Sequence, residues 1–152
     1  MNRSKNKEVR SMGGDKGSKN KGVGGGGMGE KIKSFQDLVA WQEAHGLVLE
    51  IYRVTETFPR TESFGLTSQI RRAAVSVTSC IAEGFSRNTF KDKYNFYRMS
   101  QGSLTELQSQ LIIARDLGYI SKDVYQLVFN KSIVVHKLLT GLCKSTALNF
   151  NP

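Results

Sequence analysis

The stretch that most limits how this chain can fold runs from Leu66 to Gly84. Leu66, Ile70, Ala73, Val77 and Cys80/Ile81 recur at three- and four-residue steps and make one apolar stripe at helical spacing. Several residues on or beside that stripe are small (Ala73, Ala74, Cys80), which lets a neighbouring helix approach closely. Arg71, Arg72, Ser68, Ser76 and Ser79 fall on the other faces. Gly84 stands where this helix should stop, since glycine enters a left-handed C-terminal cap without steric cost.

The rest of the chain repeats the pattern. Ser34, with Asp37 three residues on, predicts a capping box that opens a first helix. Phe35, Leu38, Trp41, His45, Val48 and Tyr52 mark its stripe, flanked by Val39, Leu47 and Ile51. His45 is expected at a core or interface position, and the helix is expected to end before Phe58-Pro59. Thr89 with Asp92 predicts the cap of a third helix, whose inner face reads Phe90, Tyr94, Tyr97, Gln101, Leu104, Leu107, Leu111 and Ala114 up to Leu117-Gly118. Gly102 inside this helix predicts a close helix contact, because glycine there costs about 1 kcal/mol relative to alanine. Ser121 caps a fourth helix with Val124, Leu127/Val128, Lys131, Val134/Val135, Leu138 and Leu142 in register, fraying around Lys144 to Ala147. No alternating strand pattern and no internal repeat is present. Four amphipathic helices of roughly 20 to 28 residues with short connections predict an all-α, antiparallel up-down-up-down four-helix bundle.

Residues 1–33 lack this periodicity. They hold nine of the chain's 15 glycines, nine Lys/Arg and three Asp/Glu, so six of the nine net positive charges belong to them. Such a segment cannot bury enough apolar surface to offset the entropy of ordering it, and a disordered basic tail over 1–33 is expected before a bundle domain over 34–148. The tail is either a phosphate-attracting arm or a segment preceding a start at Met28. It lacks the apolar core of a secretory signal, and no run approaches the roughly 18 apolar residues of a membrane span. Cys80 and Cys143 lie inside helical patterns without metal-ligand spacing and read as core thiols in a reducing, cytoplasmic setting.

An ordered series of motifs now carries a resemblance. Phe35-Gln36-Asp37-Leu38, Phe58-Pro59-Arg60, Phe64-Gly65-Leu66-Thr67-Ser68-Gln69-Ile70-Arg71-Arg72-Ala73, Ile81-Ala82-Glu83-Gly84, Gly102-Ser103-Leu104-Thr105-Glu106-Leu107 and Ala114-Arg115-Asp116-Leu117-Gly118-Tyr119-Ile120 follow one another over about Phe35–Leu142. Together they resemble the four helix bundle proteins, also called 23S rRNA-intervening sequence proteins, of bacteria. The resemblance implies a helical bundle that associates into a ring-like homopentamer. It also implies kinship with accessory proteins of diversity-generating retroelements, which bind nucleic acid and a reverse transcriptase. It implies no settled biochemical function. This chain departs from the family pattern at Cys80, where relatives usually carry Asn before Ile-Ala-Glu-Gly.

Two candidate surfaces follow. Arg71, Arg72, Arg87, Lys91 and Arg98 are candidate RNA or DNA contacts near the junction of helices two and three, with Tyr94, Phe96 and Tyr97 as stacking rings. The competing reading pairs the arginines with Glu62, Glu83 and Glu106 and puts the aromatics in the core. A basic surface alone gives a Kd of about 10⁻⁴–10⁻⁶ M for any nucleic acid, so binding of that strength carries no specificity. Val39, Leu47, Phe96 and Met99 are the candidate subunit contacts, lying off the main stripes. No metal or cofactor is expected: neither His45 nor His136 follows a Glu at the spacing of a di-iron bundle. No nucleophile elbow or phosphate-binding glycine loop occurs either, so the expectation is a protein without catalytic activity.

Overall fold

A computed structural model of the chain describes residues 30–150, and the greater part of the expected tail lies outside them. Four long helices carry the fold: α1 Val39–Thr55, α2 Leu66–Ser86, α3 Phe90–Asp116 and α4 Lys122–Ala147, with no strand among the described residues. The capping box forms, but one step earlier than expected. Ser34 Oγ accepts from the Gln36 N–H, and the Asp37 carboxylate accepts from the N–H groups of Ser34 and Lys33 at 2.9 Å. Those two N–H groups hold the Asp37 carboxyl below its usual range. What they cap is a single 3₁₀ turn, Phe35–Asp37; Leu38 is extended, and α1 begins after it.

The α1–α2 loop is fixed by one carboxylate. Glu62 accepts from the Leu66 N–H at 2.8 Å, capping α2, and from the Tyr119 hydroxyl at 3.1 Å, tying the loop to the α3–α4 turn. Thr89 and Ser121 cap α3 and α4 as their positions predict, accepting from Asp92 N–H and Val124 N–H. Helix α3 ends on Gly118 at φ 76°, where Tyr119 N–H reaches Ala114 O and Gly118 N–H reaches Arg115 O. That pair of bonds is the Schellman arrangement, and its positive φ explains the glycine. α4 does not fray at Lys144: Thr146 is buried, and its hydroxyl donates to Leu142 O.

Gly84 has a different purpose from the one expected. α2 runs past it to Ser86, and a Cβ built at Gly84 would stand 2.6 Å from the Tyr97 ring and 3.0 Å from Phe96 Cβ. The glycine therefore admits α3, which packs its Tyr97 ring onto the α2 backbone. Farther along the same contact, Ser100 Oγ donates to Val77 O at 2.8 Å and Ser76 Oγ lies 2.8 Å from Ser103 Oγ. Small hydroxyl residues thus supply the close α2–α3 contact assigned above to Gly102. Gly102 itself faces open space.

Each helix touches two neighbours: α1 meets α2 and α4, and α3 meets α2 and α4. The core they enclose includes Leu47, Ile51, Ile70, Val77, Ile81, Tyr97, Leu104, Leu107, Leu111, Val128, Val135 and Leu139. Three side chains of the expected stripes stay out of the core: His45 is exposed and stacked at 4.9 Å on Trp41, and Tyr52 and Phe90 are also exposed. The larger departure is on α4. Tyr125, Val128, Ser132, Val135, Leu139, Cys143 and Thr146 are its buried face, so Val124, Leu127 and Val134 of the expected register point outward.

Candidate functional site

The five candidate cations do not form one surface. Arg71 lies in the first turns of α2 and serves the fold: its Nε donates to Thr55 Oγ1 at 2.8 Å, and its guanidinium lies 4.7 Å from the Tyr52 ring centre. Arg72, next to it, is exposed and makes no hydrogen bond or ion pair among the described residues. Arg87 is fifteen residues on, about 22 Å along the helix at 1.5 Å per residue. Its guanidinium covers the Phe96 ring at 4.3 Å, so Phe96 is half-buried and already occupied. Lys91 is exposed on the first turn of α3. Arg98 is exposed on α3 and donates to Gln101 Oε1, three residues on along the same helix, at 3.0 Å. Lys93, absent from the expected set, instead closes the end of α2 by donating to Phe85 O and Gly84 O.

The competing ion pairs do not form either. Among the described residues, salt bridges join Glu50 to Arg53 and Lys131, and Arg115 to Asp116. Glu62 is taken by Leu66 and Tyr119, and Glu106 accepts from Gln110. Glu50 was not singled out in the sequence because it sits inside an apolar run. Its carboxylate is nearly buried and meets Lys131 at 3.5 Å, the one charged link from α1 to α4 among the described residues.

The apolar candidates divide more sharply. Leu47 is 2% exposed, a member of the core, and is withdrawn as a contact residue: α1 turns it inward beside Ala44 and Ile51. Val39 and Met99 are each 56% exposed. The structure adds a stripe that sequence reading assigned to the core, Val124, Leu127 and Val134 on α4, with Leu127 56% and Val134 45% exposed. Leu49 on α1 and Phe64 on the α1–α2 loop are also exposed. A periodicity of two stripes instead of one along α4 was the available signal for this.

Cys80 is buried, and its Sγ lies 3.9 Å from Ser76 Oγ, one turn back on α2 and on the seam with Ser103. Burial pushes the thiols of Cys80 and Cys143 above their ordinary range, and burial does the same for the Tyr97 hydroxyl. A neutral form favoured by folding contributes stability below the unfolded pKa and loses it as pH rises through the folded one. Chemical denaturation midpoints are therefore expected to fall as the pH passes about 8.5 and on toward 10. A Cys80→Ala, Cys143→Ala chain should show a shallower decline, and an identical one would remove the thiols as its cause.

Helices alone, four long ones closed around a single core, define an all-α four-helix protein. The chain belongs to the 23S rRNA-intervening sequence protein family, whose profile matches residues 36–141. Among solved structures it is similar to a protein of unknown function from the S23 ribosomal protein family of Bacteroides thetaiotaomicron VPI-5482. That match has a TM-score of 0.65 at 20% identity and covers 70% of this chain and 99% of the other. No curated protein matches it. No helix among the described residues is long and apolar enough to cross a membrane.

Proposed function

We propose that the chain works as a non-catalytic scaffold in the cytoplasm, a bundle of antiparallel up-down-up-down helices whose copies assemble into a homo-oligomeric ring. The helix order is supported by paired contacts that run in opposite senses along the chain. Gln101 reaches Thr140 while Gln108 reaches Ser132, and Val77 meets Ser100 while Ser76 meets Ser103. The observation that carries assembly is the outward stripe Val124, Leu127 and Val134 on α4, joined by the exposed Val39 and Met99. A single subunit leaves these side chains in water, and a second copy removes them from it. A count of five copies comes from the family resemblance.

Light scattering of the full chain at on the order of tens of micromolar should give a multiple of the single-chain mass. Leu127→Glu with Val134→Glu should return it to one chain without loss of helical content. A wild-type protein that scatters as one chain overturns the reading.

A second reading, an accessory protein holding RNA or DNA for a reverse transcriptase, has less support because its five cations are dispersed and Arg71 is engaged with α1. Its test is the salt dependence of binding in the full chain and in an Arg71→Glu, Arg72→Glu variant. An unchanged affinity in that variant counts against the α2 surface.

A further inference from the structure

A groove of about 390 Å³ opens between α3 and α4, lined by Arg98, Gln101, Gly102, Thr105, His136 and Thr140. Its polar groups are arranged in relay. Arg98 donates to Gln101 Oε1 at 3.0 Å, Gln101 Nε2 donates to Thr140 Oγ1 at 3.2 Å, and Thr140 Oγ1 donates to His136 O at 2.9 Å. The Thr105 hydroxyl donates to Gln101 O at 3.0 Å. The relay holds Gln101 with its amide oxygen committed to the guanidinium, so Arg98 is aimed by a residue that is itself held from both sides.

That guanidinium has five N–H donors. One is used by Gln101, and no carboxylate lies within 4 Å of it among the described residues. The His136 ring, on the opposite wall, makes no hydrogen bond among them. An aimed, uncompensated cation facing an unengaged imidazole is a donor set without an acceptor.

Gly102 lies on the α3 wall of the groove. A Cβ there would meet nothing within 4 Å, as is also true of Gly46 in α1 and Gly141 in α4, so what sets Gly102 apart is its place in the groove. The space left by that missing Cβ belongs to the groove wall between Arg98 and Thr105.

We infer that this groove is an oxoanion site, taking a phosphoryl group with free terminal oxygens that Arg98 grips with two N–H donors and His136 meets from α4. The guanidinium fork matches two oxygens of such a group. The groove is polar on both walls, and Gly102 lets the anion lie against the α3 backbone. The site is built within one subunit and is independent of the assembly proposed above.

The test is the melting temperature of the full chain as phosphate replaces chloride at constant ionic strength, with phenyl phosphate as a second arm. A ligand that binds only the native state stabilises it by RT ln(1 + [L]/Kd), so the melting temperature climbs with the logarithm of ligand concentration above Kd. A rise of that form with a Kd on the order of 1 mM is expected. Arg98→Gln should weaken binding about tenfold or more, and His136→Gln should weaken it less. Gly102→Ala should melt higher than the parent without ligand, yet respond less to phosphate, an opposition that a purely structural glycine does not produce. An Arg60→Gln control, on the α1–α2 loop, should respond as the parent does. A response to both ligands assigns the site to phosphomonoesters, and a response to inorganic phosphate alone assigns it to the free ion. A rise that Arg98→Gln and Gly102→Ala both leave intact, or no rise of that form in the parent, overturns the inference.

Discussion

Gly84→Ala destabilises the bundle even though alanine is the better helix residue. The gain in helix propensity is about 1 kcal/mol. Against it stands a methyl carbon 2.6 and 2.9 Å from two atoms of the Tyr97 ring and 3.0 Å from Phe96 Cβ. Tyr97 is buried, and a ring carbon is not the free end of a flexible chain, so α3 must move away from α2 or the ring must leave its rotamer. Overpacking of this kind costs about 1–3 kcal/mol, enough to outweigh the propensity gain, and Gly84→Val, with two more carbons, should cost more than Gly84→Ala. Urea unfolding measures both. Tyr97→Leu in the Gly84→Ala background should recover part of the loss, giving a coupling of roughly 0.5–3 kcal/mol. A Gly84→Ala protein as stable as its parent would show that the α2–α3 contact is looser than described.

The second large effect separates core from surface on α1 and α3. Leu47→Ala removes a side chain 2% exposed, from among Ala44, Ile51 and their neighbours, and should cost about 2–5 kcal/mol. Met99→Ala removes one that is 56% exposed and should change the stability of a single subunit by less than about 0.5 kcal/mol. Both were candidate contact residues on sequence grounds, and equal losses in the two variants would contradict the burial seen for Leu47. Measured at two protein concentrations, the Leu47→Ala loss should stay constant. A concentration dependence confined to Met99→Ala would place that residue at a contact between copies.

Much of this was legible in the chain before folding. Ser34 with Asp37, Thr89 with Asp92, and Ser121 were readable as caps because a cap is a bond between neighbours a few residues apart. Gly118 was readable as a stop for α3 for the same reason. Other features were ambiguous on their own. Val124, Leu127 and Val134 lie beside Tyr125, Val128 and Val135 on α4, and both rows have helical spacing. Only the rotation of α4 against α1 and α3 decides which row is dry. Likewise Gly84 and Gly102 are both glycines inside helices, and they differ solely in what another helix brings to them.

The sequence by itself therefore determined the number of helices, the caps of α3 and α4 and the stop at Gly118, since these rest on spacing and on bonds within one turn. Tertiary structure alone decided that Leu47 is core, that the stripe of α4 through Leu127 and Val134 faces water, and that Arg71 is engaged with α1. Those outcomes depend on how each helix is turned about its axis. That angle is set by the fit of side chains on facing helices, a property no single helix contains.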